Sequence, residues 1–379
     1  MRKLNYLITT LLLIAISVWP FAAASAQGES PQIRITQVDN SKFPNVTVYV
    51  SVTNAAGEPV GVDPSTIQIS ENGQTMQLVD VQGGGEAVGQ ESIPVTTMLV
   101  MDISGSMDKN NKLAAAKEAA KSYVNQMQDG DQVGLIAYDT QVYNIQPITT
   151  DKTALTAAID GLKTGSDTAM YNALVEAEKA LEGVSGRKAI IVLTDGLDNK
   201  SQSKPEDVIN GIGQSGLTIS AIGFGDVGTV GQAGLNEAAL KSLAEKAGGI
   251  YGFASDAEAL KGLYRQQSRA LQSEYQITYV SPSTLRDGIN RTLTVSLVGA
   301  AATSTEGKYN PGGVLPEVSS RSWTTFVVIL VGLLVLLFMP MLFTLGRQSL
   351  SGFKGKSSSF GRSFGKSPQT AARGRIKLK

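Results

Sequence analysis

The sequence predicts an α/β protein whose parallel sheet is inserted between two β-rich flanks. Over residues 93–265, near-continuous apolar strands alternate with helical patterns, and on either side, over 27–92 and 266–299, apolar and polar residues alternate with a period of two. Apolar β-branched runs separated by helices are typical of a mostly parallel, doubly wound sheet that is covered on both faces. We therefore expect a Rossmann-like central domain, with flanking strands that pair into one β-sandwich.

The N-terminal flank, residues 27–92, has the pattern of a small β-rich module. Val46, Val48 and Val50 share one face of a strand, and Asn72-Gly73 separates two further strand-like runs. Asn-Gly between such runs is a strong signal for a two-residue hairpin. The glycine-rich run 83–89 predicts a flexible connection to the next domain.

The central segment, 93–265, alternates between the two kinds of element. Pro205 opens one of the helices, where a missing backbone N–H costs little. Expected strands cover 95–103, 133–138, 142–148, 189–194, 218–224 and 250–253, and expected helices cover 112–127, 154–162, 169–181, 205–212 and 237–247. The Gly223 loop matches a dinucleotide-binding pattern, but further glycines follow where that pattern needs a helix, so a plain loop is favoured.

Strand alternation returns in the C-terminal flank. Tyr275, Ile277 and Tyr279 fall on one face, and Leu293 and Val295 lie on one face of a second strand. These strands are candidates for completing the N-terminal module. Residues 300–323 are rich in Gly, Ser, Thr and Pro and are expected to form a stalk.

Both ends of the chain have the pattern of targeting segments. Residues 1–26 combine a basic start, an apolar stretch and the small residues Ala24-Ser25-Ala26, an order typical of a secretory signal peptide. Residues 324–345 carry no charge and would span about 33 Å as a helix, enough for a bilayer.

A basic tail, residues 346–379, follows the predicted transmembrane helix with nine basic residues and no acidic one, while every acidic residue lies between Glu29 and Glu317. The positive-inside rule then predicts a single-pass membrane protein with an extracytoplasmic ectodomain, at the cell surface or in the periplasm, and a cytoplasmic tail. The tail could contact anionic lipid, and nucleic-acid binding is not expected.

The absence of His and Cys excludes several kinds of chemistry. No catalytic triad, imidazole base, thiolate nucleophile or sulfur-bound metal can form in a chain without these residues. A metal in this protein must be bound by oxygen atoms, which favours Mg²⁺, Mn²⁺ or Ca²⁺.

Oxygen-bearing side chains follow three segments at one predicted edge of the sheet. The first strand ends in Asp102-Ile103-Ser104-Gly105-Ser106, a later strand ends at Asp195, and Thr168 precedes a helix in the loop between them. Because ligands bind beyond the carboxyl ends of parallel strands, these side chains are candidates for one cation site.

This set resembles the metal-ion-dependent adhesion site of the von Willebrand factor A domain, over roughly residues 93–265. The resemblance implies that Ser104 and Ser106 bind the metal directly, and that Thr168 does so in one state. Asp102 and Asp195 would bind it directly or through water, and strand 142–148 would be an antiparallel edge. The family often has paired glycines before the threonine, whereas this chain has Gly165-Ser166-Asp167, and Thr164 is an alternative ligand.

The resemblance implies a non-enzymatic adhesion, receptor or assembly-scaffold protein, in which a divalent cation captures an Asp or Glu carboxylate of a partner protein. Two alternatives stay open. A metal-assisted hydrolase would need Asp108, Asp167 or Asp198 as its base, and a structural membrane scaffold would use the metal only for stability.

Overall fold

The computed structural model describes residues 31–212, 216–225, 235–299, 302, 304, 306–313 and 323–350, with side chains of the last helix described over 326–339. The predicted signal segment and most of the basic tail lie outside these residues. The chain divides into two compact units, residues 1–319 and residues 320–379. The first unit contains the central domain and both flanks.

Fourteen strands are described. They are β1 (Gln32–Asp39), β2 (Asn45–Thr53), β3 (Ile67–Glu71), β4 (Gln74–Thr75), β5 (Leu78–Gly83), β6 (Val95–Asp102), β7 (Gln132–Tyr138), β8 (Val142–Thr149), β9 (Arg187–Thr194), β10 (Thr218–Phe224), β11 (Gly248–Ala254), β12 (Tyr275–Val280), β13 (Arg291–Leu297) and β14 (Gly307–Tyr309).

Seven α-helices are described, together with short 3₁₀ turns at 64–66 and 85–88 and a kinked 3₁₀ segment at 105–111 that is interrupted by non-helical backbone at Lys109 and Asn110. The α-helices are α1 (Lys112–Asn125), α2 (Lys152–Asp160), α3 (Met170–Ala180), α4 (Pro205–Gly211), α5 (Glu237–Lys246), α6 (Ala257–Gln272) and α7 (Trp323–Leu350).

The central domain is a six-stranded sheet in the order β11-β10-β9-β6-β7-β8. All neighbouring pairs are parallel except β7 with β8, so the predicted mostly parallel sheet and its antiparallel edge strand are confirmed. β6 and β9 are buried along their whole length, which explains their continuous apolar sequence. Apolar clusters containing residues of α1, α2 and α6, and of α3, α4 and α5, form the two cores of this domain.

Strands from both flanks share two antiparallel four-stranded sheets, in the orders β1-β2-β12-β5 and β14-β13-β3-β4. β12 lies between β2 and β5, and β13 pairs with β3. Val48, Ile69, Ile277 and Val295 belong to one buried cluster formed by both sheets. The flanks thus form one β module, interrupted in sequence by the central domain. The hairpin residue Asn72 and its neighbour Gly73 both have positive φ.

Two expected boundaries are displaced. Residue 265 falls inside α6, which ends at Gln272 and packs on α1 through an edge-to-face contact of Tyr264 with Tyr123. The sequence-based prediction missed this helix, although its buried residues Leu260, Tyr264 and Leu271 recur at helical spacing. At the far end, β14 belongs to the β module, so the expected stalk cannot begin at residue 300.

The first three glycines of the run expected to be a flexible connection, Gly83, Gly84 and Gly85, are instead buried, so that prediction was wrong for this part of the run. Gly83 and Gly84 have φ of +87° and +90°, and the Gly84 N–H donates to the Glu274 carbonyl at 2.9 Å. A Cβ on Gly83 would lie 2.3 Å from that same carbonyl oxygen. The chain therefore leaves the β module directly beside the point where it returns, and glycine is needed for the close approach.

The second unit includes α7, a 28-residue helix that covers the predicted span 324–345. Among the described residues, no helix has the combined length and hydropathy that crossing a bilayer would require.

Candidate metal centre

Asp102 ends β6 with its side chain buried and both carboxylate oxygens engaged. Oδ1 accepts from the Ser104 N–H at 2.8 Å, and Oδ2 accepts from the Thr194 hydroxyl at 2.8 Å. The Ile103 N–H donates to the Tyr138 carbonyl, which holds this strand end against β7. The carboxylate is thus fixed by one donor from the loop after β6 and one from the end of β9, the two central strands of the sheet.

The pKa of the Asp102 carboxyl is raised to about 6, mainly by burial and also by the nearby Asp195 carboxylate, and hydrogen bonds from Ser104 and Thr194 limit the rise. Without a cation, ionised Asp102 is therefore a costly group at this position. A site that holds such a carboxylate next to a second one favours the binding of positive charge.

Ser104, Ser106 and Asp195 form a continuous chain of hydrogen bonds. The hydroxyl oxygens of Ser104 and Ser106 lie 3.0 Å apart, and the Ser106 hydroxyl donates to Asp195 Oδ1 at 2.5 Å. These contacts bring together the loops that follow β6 and β9, which are separated by about 90 residues in the sequence. Four of the five predicted ligands are therefore in mutual contact at the carboxyl edge of the sheet.

Thr168, the fifth predicted ligand, is held in place by hydrogen bonds of its backbone. Its N–H donates to Asn199 Oδ1 at 3.0 Å, and its carbonyl accepts from the Asn199 N–H at 3.0 Å, which ties it to the loop after β9. The Gly105 N–H donates to the Ser166 carbonyl at 2.7 Å, which ties the same loop to the first motif. Thr168 is buried, whereas the alternative Thr164 is half-buried and follows α2.

The acidic residues considered as bases have other roles. Asp198 accepts from the N–H groups of Tyr171 and Ser201, at 2.9 and 3.0 Å, so it joins the start of α3 to the loop after β9. Asp167 is 38% exposed in its side chain and pairs with Lys200 at 3.4 Å. Asp108 is exposed. None of the three is buried.

Sequence reasoning missed Lys112 and Thr194. The Lys112 ammonium lies 2.7 Å from Asp195 Oδ2, and Thr194 donates to Asp102 as described above. The contact of Thr194 with Asp102 had a signal in the sequence, because a threonine stands immediately before Asp195 at a strand end. Nothing in the sequence near Lys112 distinguishes it from the other lysines of α1.

The donor set fits a hard divalent cation. The hydroxyls of Ser104 and Ser106 and the carboxylates of Asp102 and Asp195 are all oxygen donors, which Mg²⁺, Mn²⁺ and Ca²⁺ accept. The described residues contain no group of three or more carboxylates suited to a metal, so the hydroxyls would have to complete its coordination.

Comparison with known proteins gives a family match for part of the central domain. Residues 97–197 match the family model of the von Willebrand factor type A domain, and this range contains all five predicted ligands. Over these residues the chain is therefore similar to von Willebrand factor type A domains, a class of generally non-enzymatic adhesion and scaffold modules.

Among curated relatives, the chain is similar to a UPF0353 protein of Mycolicibacterium paratuberculosis, with 28% identity over 202 residues, 47% of this chain and 60% of the relative. The matched region thus spans about three fifths of that relative's length. Among solved structures, a von Willebrand factor type A protein from Catenulispora acidiphila is 17% identical with a TM-score of 0.43, covering 75% of this chain and 74% of its own.

A second solved structure is proximal thread matrix protein 1 of the mussel byssus, described with a zinc-occupied metal-ion-dependent adhesion motif. It is 20% identical with a TM-score of 0.43, and the match covers 50% of this chain and 48% of that one.

Proposed function

We propose that this chain is a divalent-cation-dependent protein-binding module, in which Asp102, Ser104, Ser106, Thr168 and Asp195 hold the metal. The observation that carries the proposal is the hydrogen-bonded set of two serines and two aspartates at the carboxyl edge of the sheet. When bound, the cation would offer a partner carboxylate an electrophilic centre with exchangeable water positions.

The chain's own residues suit binding better than catalysis. Asp102 and Asp195 together would neutralise a divalent cation, so no third acid is needed to hold it. The sequence has no His, and the three acids considered as bases are capping, paired or exposed side chains. A partner Asp or Glu would supply the missing negative charge, which makes a protein ligand the preferred occupant.

We also propose that the protein is exported and anchored in a membrane, with the metal site outside the cytoplasm and the basic tail inside. Support comes from the sequence alone: the signal-like residues 1–26, the uncharged stretch 324–345 and the basic residues after it. Fractionation of cells, followed by protease treatment of intact cells, tests this. Recovery of the full chain in the cytosol would overturn the proposal.

Two measurements test the binding function. Titration calorimetry of the purified protein with Mg²⁺ and Mn²⁺ should show one site, and loss of that site is expected in Asp102→Ala. Capture of envelope proteins by the immobilised wild-type chain should then be released by chelator and should be absent in the same variant.

Asp108→Ala is the matched control, because Asp108 is an exposed acid six residues along the same loop. The pair Ser104→Ala/Ser106→Ala provides a second test that leaves both aspartates in place. Capture that is equal in chelator and in Mg²⁺ would contradict the metal-dependent function and would favour a structural scaffold.

A further inference from the structure

Lys112 forms an ion pair inside the candidate metal centre. Its ammonium nitrogen lies 2.7 Å from Asp195 Oδ2, and the Lys112 side chain is 15% exposed while that of Asp195 is 0% exposed. The other oxygen of Asp195 accepts from Ser106. An amine of the protein therefore already contacts the carboxylate that a metal would need.

The local structure positions this lysine at an electrostatic cost. Lys112 is the first residue of α1, where the helix dipole is positive and a cation is disfavoured, and no acidic residue lies in that first turn. The preceding residues, Asn110 and Asn111, both have left-handed backbone conformation, with φ of 54° and 55°. This double turn starts the helix at the point from which Lys112 reaches Asp195.

An ammonium and a divalent cation on the same carboxylate would repel each other. Like charges a few ångströms apart interact strongly when the site is shielded from water, because screening by solvent is then weak. Asp195 has no exposed side-chain surface, and Asp102 beside it is buried as well. Binding of a metal at this position must therefore displace the ammonium or tolerate its repulsion.

We propose that Lys112 is a tethered counter-cation, which stabilises the metal-free site by pairing with Asp195 and competes with the divalent metal for that carboxylate. This inference rests on the proposed metal site and goes beyond it, because it assigns to one lysine the control of how tightly the metal is held. Metal binding would release the Lys112 side chain toward solvent at the surface a partner would meet.

The decisive variant is Lys112→Met, which keeps the aliphatic chain and removes the charge. Titration calorimetry with Mn²⁺ and Mg²⁺ should show tighter binding than in the wild type by about tenfold or more. Lys112→Arg keeps the charge and should bind metal with nearly wild-type affinity. Lys109→Met is the matched control, because Lys109 is an exposed lysine three residues earlier, and its affinity should be unchanged.

Thermal unfolding gives a second, independent readout. In chelator, Lys112→Met should melt below the wild type, because the buried Asp195 carboxylate loses its counter-charge. In saturating Mg²⁺ the melting temperature of Lys112→Met should rise by more than that of the wild type. The difference in melting temperature between the two proteins should therefore become smaller or change sign. A lysine with a purely structural role would lower the melting temperature equally in both conditions.

The outcomes separate this inference from the function on which it rests. Equal metal affinity in the wild type and Lys112→Met overturns the counter-cation role and leaves the metal site intact. Weaker binding in Lys112→Met overturns it as well, since the lysine would then assist the metal. No binding by any of the four proteins overturns both the metal site and the inference.

Discussion

At the scale of single residues, Glu178 on α3 is a buried acid without an obvious role. Only 8% of the residue is exposed, and its Oε1 atom has no hydrogen-bond partner within the described part of the chain. Burial raises its carboxyl pKa to about 8. Gly211 leaves the space beside it open, since a Cβ there would lie 2.1 Å from Glu178 Oε2. The ionised form of this acid therefore opposes folding.

The pH dependence of stability should show this cost. Because the pKa is raised in the folded state, the folded protein binds more protons than the unfolded chain, and stability falls as pH rises from about 4.5 to about 8. Glu178→Gln should remove that slope and raise the free energy of unfolding at pH 8 by roughly 1–3 kcal/mol. Urea unfolding at pH 5 and pH 8 measures the difference.

Glu176→Gln is the control for this prediction, because Glu176 lies on the same helix with 45% of its side chain exposed. Its pH profile should match that of the wild type. If Glu178→Gln gives a profile parallel to the wild type, the carboxyl is not the source of the slope.

Residue type and spacing predicted which side chains meet at the edge of the sheet, and their role as metal ligands stays a prediction. Asp102, Ser104 and Ser106 lie within five positions at a strand end, and the apolar strand before Asp195 has the same form. Lys112 could not be predicted, because its contact depends on the left-handed turn at Asn110 and Asn111 and on a partner 83 residues away. Glycine is the residue that most often signals such a turn, and neither position has one.

At the scale of elements, the crossing between the β module and the central domain is the most constrained part of the backbone. Gly83 has a positive φ and no space for a Cβ beside the Glu274 carbonyl. Composition alone predicted flexibility there, since glycine runs are common in linkers. Burial of these glycines depends on tertiary contacts with residues nearly 200 positions away, which no local pattern encodes.

Gly83→Ala should therefore lower the free energy of unfolding by roughly 2–4 kcal/mol, because both backbone strain and a steric clash must be accommodated. Gly73→Ala is the matched control: Gly73 also has a positive φ, of 80°, but nothing lies within 4 Å of a Cβ there. Gly73→Ala should lower the free energy of unfolding by about 1 kcal/mol, from backbone strain alone. Urea unfolding compares the two, and equal losses would show that the close approach is unimportant.

At the scale of the whole first unit, a buried ion pair joins the two modules. Arg187 at the start of β9 bonds both oxygens of Glu274, which lies just before β12, and its remaining nitrogen donates to Gln37 of β1 at 3.0 Å. Further contacts cross the same boundary, such as Arg34 to the Gly249 carbonyl at 2.9 Å. The mostly parallel central sheet and the pairing of the two flanks were predicted from the sequence pattern, but these contacts were not, because they link residues far apart in sequence.

Glu274→Ala should lower the free energy of unfolding by about 3–5 kcal/mol, because it leaves the Arg187 charge buried without its partner. The double variant Arg187→Met/Glu274→Met should lose less than either single variant. Glu118→Gln, which breaks an exposed pair with Lys121, should cause no measurable change. Calorimetry and urea unfolding measure these losses of stability. If the loss in the double variant equals the sum of the losses in the two single variants, Arg187 and Glu274 are not coupled.

The two connections between the β module and the central domain lie side by side, and this has a mechanical consequence. The chain enters the central domain after β5 and returns at β12, and these strands are hydrogen-bonded neighbours, with Tyr275 opposite Gly83. A pull on the central domain is therefore divided between two chain segments that are drawn in the same direction. Separating the modules along this line would require β12 to slide past β2, breaking their hydrogen bonds together rather than one after another. The insertion thus converts what would be a single tether into a double attachment that resists tension.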